Sequence, residues 1–299
     1  MIPAENPLPS EAPVPSAAQP PGPGPPAPPT VPPPVPAPLL GPVPPRPRRT
    51  WIWPVIAVAV AAVVVFAVLF LTGGFGSGGG SSVPTGTPMS YTQALPVAIA
   101  EGQSASGGPW TVVAGEGVGV STGISGPAPT AFTGSGCTFR APPGAPASTT
   151  VPGTPGNATP GTVAAWVFFA TNASMSVVLL ILVTDLTASL LDLVSGCSDV
   201  STFTEMGAVT TSNVVDSTAI ASELDAAGGA SFLANHTVVT HLFVLLGPSA
   251  ALGGNAYWEA IYSTCQPTAV GGSGTEFSGT YYAASGSVFT SPTTTQIIC

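Results

Sequence analysis

Lysine is absent from this chain of 299 residues, and charged side chains make up only 6% of it. Arg46, Arg48 and Arg49 share the first 50 residues with Glu5 and Glu11, a formal +1; beyond them eleven carboxylates face Arg140 alone, a net of −10. A nucleic acid would meet repulsion there, as would an anionic lipid surface, so functions that rest on a basic patch are excluded. There is no P-loop and no C-x-x-C pair. With so few charges, the part after the arginines must be kept soluble by Ser, Thr, Asn and Gly. These hydrate equally well at any pH, whereas carboxylates lose their charge on protonation, so an acidic exterior would suit this composition, while ordinary codon bias would equally leave the chain without lysine.

Proline is plentiful but uneven. Residues 3–47 hold 21 of the 37 prolines, so residues 1–50 are expected to form a disordered, polyproline-like tail without a core. Such a tail can dock in an aromatic-lined groove or act as a spacer, and the spacer is the simpler reading. Residues 51–71, WIWPVIAVAVAAVVVFAVLFL, carry no charge. At about 1.5 Å per residue they reach roughly 31 Å, enough to cross a hydrocarbon core of about 30 Å. Pro54 falls in the first turn, where a missing N–H costs least, and Trp51 and Trp53 suit an interface. The arginines just ahead predict a cytoplasmic N-terminus and a C-terminal part outside, a single-pass signal-anchor in the cell membrane with the lipid bilayer as partner and no nucleic acid. The competing reading is a cleaved export signal, because Arg48-Arg49-Thr50 partly matches a twin-arginine leader; the length of the run and the lack of an A-x-A site directly after Leu71 argue against it. Residues 72–88, with GGFGSGGG, read as a flexible linker, and residues 89–299 as one extracytoplasmic domain.

A second apolar stretch, residues 163–194, fails as a membrane span. Asn172, Asp185 and Asp192 interrupt it, and each Asp at mid-membrane costs about 2.5–3.5 kcal/mol. It reads instead as two buried strands, residues 164–170 and 177–183, joined by a turn at 171–174. Strands are also expected at 111–120, 190–194, 206–215, 237–246, 256–265 and 280–290, and residues 141–161 as a long exposed loop. A short helix is expected over 91–101 despite Pro96. A clearer one follows Asp216 or Ser217 as N-cap, with Ile220, Leu224 and Ala227 on one face, a stop at Gly228-Gly229 and a second turn at 230–235. Many strands and few helices imply an α+β domain on an antiparallel sheet, with an all-β sandwich as the runner-up.

All four cysteines, Cys137, Cys197, Cys265 and Cys299, follow the apolar run, as expected on an oxidising side where disulfides persist. Four cysteines allow three connectivities; Cys137 with Cys197 and Cys265 with Cys299 is the expected one, the second pinning a terminus that would otherwise fray. Asn157, Asn172 and Asn235 head N-glycosylation sequons, which a host with the machinery could use.

No cofactor or metal is expected. Gly115-Glu-Gly117-Val-Gly119 lacks the third glycine of a phosphate loop and reads as a strand with close packing. His236 and His241, five apart, do not share a face of a helix or a strand, which disfavours joint metal ligation. Singly, His241 with a carboxylate could act as a general base. Glu259 is the carboxylate to watch: strand alternation puts it with Tyr257, Ile261 and Cys265, where burial would raise its pKa. Asp185 and Asp192 read as turn residues. The aromatic set around Trp166, Phe168, Phe169, Trp258 and Tyr281 reads as core rather than as a ligand groove.

The proline-rich tail, arginine-flanked apolar run, Gly/Ser linker and Ser/Thr-rich C-terminal part with AYWEAIYSTC resemble archaeal-type single-pass cell-surface proteins in layout. A bacterial envelope protein of high-GC composition would share that layout. The resemblance implies a surface location and carries over no functional residue. The expectation is therefore a non-enzymatic binding or structural domain; an envelope hydrolase using His241 and Glu259, or a pilin-like subunit assembling through its apolar helix, are the alternatives.

Overall fold

The computed structural model describes residues 84–127, 137–146, 148–172, 174–196, 198–265 and 272–299. The expected tail, the expected membrane segment and most of the expected linker lie outside the described residues. Among the described residues no helix is long and apolar enough to cross a membrane.

Chain order is α1 (Tyr91–Ser104), β1 (Thr111–Val120), β2 (Ile124–Pro127), β3 (Thr138–Arg140), β4 (Ser148–Val151), β5 (Ala165–Asn172), β6 (Met175–Thr184) and β7 (Thr187–Ser195). Then come α2 (Ser198–Thr204), α3 (Ser217–Leu224), a π-turn (Asp225–Gly229), α4 (Ala230–Asn235), β8 (Thr240–Leu246), β9 (Tyr257–Ser263), β10 (Ser273–Tyr282) and β11 (Val288–Ile298). Nine strands form one antiparallel sheet in the order β11-β10-β9-β8-β1-β5-β6-β7-β3, and β2 pairs with β4 in a separate ribbon. This is an antiparallel sheet with a few helices, the expected α+β arrangement with sheet dominant.

The central strands are buried on both faces, which explains why their sequences read as continuous apolar runs rather than as alternation. One face, the α1 face, packs Trp166, Phe168, Ile181, Phe243 and Trp258 against α1, α3 and α4; the other, the α2 face, packs Val167, Phe169, Leu180 and Val244 with Val200 and Phe203 of α2.

On β1 the alternate glycines make room for aromatic rings of the next strand. Gly117 lies opposite Trp166 and Gly115 opposite Phe168. A Cβ at Gly117 would come within 2.7 Å of the Trp166 indole, and one at Gly115 within 3.1 Å of the Phe168 ring. The fully buried Trp166 donates its indole N–H to the Met89 carbonyl at 3.0 Å, and Tyr91 sits edge-on to both Trp166 and Trp258. The GEGVG run is thus an aromatic-packing strand. Gly117→Ala is expected to force the indole out of place and destabilise the fold by about 1–3 kcal/mol, read as a lower urea midpoint at unchanged slope.

The hairpin β5–β6 stands where the two buried strands were expected, and its turn is held by Asn172, whose Oδ1 accepts from the Ser174 N–H at 2.9 Å. Helix α3 begins after Asp216, and α4 follows the Gly228 kink at φ 126°. Pro96 is tolerated inside α1 because it sits on the exposed face, opposite Ala94, Leu95 and Ala98.

Four expectations need correction. Residues 206–215 form no strand: Asn213 accepts from the Thr210 N–H at 2.8 Å and donates to the Ala208 carbonyl at 3.0 Å, a side-chain competition that favours a turn. Residues 141–161 are not all exposed loop, since β4 lies among them with Thr149 and Val151 buried. Residues 280–290 are the end of β10, a turn around Gly286 and the start of β11, not one strand. Asp185 is indeed at a turn, where it and Leu186 both have positive φ, 50° and 56°, but Asp192 lies within β7 and is fully buried.

Cys265 and Cys299 are bonded, with Cα atoms 5.5 Å apart, and fasten the end of β11 to the end of β9. Gly274 on β10 lies beneath the two sulfurs, where a Cβ would collide with both. Cys137 is buried and also disulfide-bonded; Cys197, its expected partner, lies outside the described residues.

Candidate functional site

Strand register decides which polar groups meet. His241 on β8 is opposite Tyr262 on β9, and their rings lie 5.0 Å apart between centroids. Both belong to the α1 face. The Tyr262 hydroxyl donates to Asp225 Oδ1 at 2.9 Å, so a carboxylate at the start of the π-turn is joined through a phenol to the neighbourhood of the histidine. Burial lowers the His241 pKa, which Asp225 partly opposes, and this favours a neutral imidazole. Burial and then the Asp225 charge raise the Tyr262 phenol. The buried Tyr281 hydroxyl has no hydrogen-bond partner and is pushed up to about 12 by burial, then by Glu223 and Asp225. Of these groups it is Tyr262 that fastens the π-turn to the sheet, through its hydrogen bond to Asp225.

Glu259 is elsewhere. It is three residues from Tyr262 on β9, so it points to the opposite, α2 face, and it does not meet His241. Its row is Glu116 on β1, Val244 on β8, Glu259 on β9 and Thr280 on β10. Glu116 and Glu259 thus flank one valine, two strand spacings or about 10 Å apart at the backbone. Glu116 is 1% exposed with Oε1 unpartnered, and burial pushes it up to about 8. Glu259, its Oε2 likewise unpartnered, is pushed up to about 7 by burial and then by the Glu276 charge. Asp192, on the same face of β7, has an unpartnered Oδ2 while its Oδ1 accepts from the Leu193 N–H at 3.0 Å; burial pushes it up to about 6 against the pull of backbone N–H groups. It stands three strands from Glu116. Among the described residues no three His, Cys, Asp or Glu side chains are grouped to hold a metal ion.

The remaining candidates are dispersed. His236 closes α4, with Nδ1 3.1 Å from the Phe232 carbonyl and its ring stacked on Phe232. Asn157 and Asn235 are exposed, whereas the Asn172 amide nitrogen, the atom a glycan would occupy, donates to the Gly107 carbonyl at 2.6 Å from a buried position. In the sequence Tyr262 reads only as one of the aromatic core residues and Asp225 does not stand out, because register alone joins them to His241. Glu116 carried a usable signal, as the one carboxylate in ten residues of apolar strand. No protein-family model, no curated protein and no solved structure matches this chain.

Proposed function

We propose that this is a membrane-anchored cell-surface protein whose extracytoplasmic domain, residues 89–299, serves binding or structure rather than catalysis. The observation that carries the reading is the bonded state of Cys265, Cys299 and Cys137, because disulfides persist on the oxidising side of a membrane. The uncharged run at residues 51–71, preceded by three arginines, supports the same orientation. A hydrolase built on His241 and Glu259 would need both in one cleft, and the sheet lies between them. Glycans, where the host adds them, have exposed acceptors at Asn157 and Asn235.

Intact cells treated with protease, or with a membrane-impermeant thiol reagent after mild reduction, test the reading. Residues 89–299 are expected to be digested or labelled from outside, with the proline-rich tail protected. Free thiols in a protected C-terminal domain would sink the proposal.

A further inference from the structure

We infer that two copies of this chain associate through the free edge of β11, antiparallel, so that their sheets become one. β11 ends the nine-stranded sheet, and among the described residues no strand pairs with its outer side. Along its regular part, residues 293–298, alternate residues turn backbone N–H and C=O groups away from β10, toward a partner. Edges of this kind are usually blunted by lysine, by proline or by bulges. Here there is no lysine, and Pro292 and the register shifts near Thr280 disturb only the first half of the pairing, leaving 293–298 regular.

Charge argues for the second copy as the occupant. With a net of −10 after the arginines, two copies repel over most of their surface, while β11 contains no ionisable side chain. Exposed apolar groups mark the same strand: of three large hydrophobics exposed among the described residues, Val288 at 44% and Ile298 at 89% stand at its two ends. Register places them on one face, since Val288 pairs with Tyr281 and Ile298 with Ser273. An antiparallel, two-fold contact brings the Val288 end of one strand beside the Ile298 end of the other, covering both at each end.

Topology argues that the contact closes. The other edge of the sheet is β3, only three residues long, so β11 cannot continue head to tail into a filament. Isologous pairing uses the long edge of each copy and leaves the short ones outside. The disulfide at Cys299 holds β11 in place before the partner arrives, which lowers the ordering entropy of association.

Sedimentation velocity of the full chain in detergent micelles tests the inference. The wild-type chain is expected to be a dimer at micromolar concentration. Ile298→Asp and Val288→Asp, at solvent-exposed positions that leave the fold intact by thermal unfolding, are each expected to weaken it by about tenfold, and the double variant to be monomeric. A chain that stays monomeric at tens of micromolar, or an oligomer that neither variant changes, overturns it, the latter by showing that the contact lies elsewhere.

Discussion

Raising the pH from 4.5 to 8 is expected to weaken the folded domain, with Glu116 alone contributing a loss on the order of 5 kcal/mol. Its carboxyl is buried between valines with one oxygen unpartnered, so the folded state holds the proton to about pH 8 while the unfolded chain releases it near the ordinary value of 4.5. Between those values the folded state binds more protons. Stability is therefore greatest below pH 4.5, falls as pH rises, and has lost this contribution once pH exceeds 8. Glu259, raised to about 7, and Asp192, raised to about 6, act in the same direction over narrower windows. Glu116→Gln, nearly isosteric with the protonated acid, is expected to flatten the profile and to raise the urea midpoint at pH 8 while changing little at pH 4. A wild-type midpoint independent of pH over that range would refute the buried, protonated state. The direction agrees with the acidic exterior suggested by a surface that depends on hydroxyls rather than on charge.

Loss of the Cys265–Cys299 bond is expected to cost about 4 kcal/mol, from the entropy of a closed loop with a sequence separation of 34. Cys265→Ser removes it without adding volume. The effect should concentrate where the bond acts: β11 is exposed along most of its length and is held by β10 on one side only. Hydrogen exchange is expected to accelerate in β11 while β1, β5 and β6 stay protected. Uniform acceleration across the sheet would show instead that β11 does not open on its own.

The elements legible in the sequence are those whose burial leaves no ambiguity. β1 matches the expected 111–120 because ten residues with a single carboxylate and a Gly-Pro-Trp start admit little else. The helix after Asp216 was legible from its N-cap and spacing, and β9 from its aromatic and branched residues. β11 was missed beyond its first residues because Ser, Thr and Pro carry no alternation, and at an edge both faces are exposed, so there is none to carry. The candidate site was legible residue by residue only. Alternation put Glu259 on one face of its strand with Tyr257 and Ile261, but whether it shared a face with His241 depended on the β8–β9 register, which turns and distant contacts set.

Where the described chain begins, Thr85 bridges Gly153, the Thr87 N–H is held by Asp185 at 2.7 Å, and Met89 exchanges two backbone hydrogen bonds with Val163 while its carbonyl also receives the Trp166 indole. Any mechanical pull arriving along the preceding residues must first break these in turn. The third is seated on Trp166, a fully buried ring of β5, so tension there is borne by the centre of the sheet, and the outer strands stay unloaded.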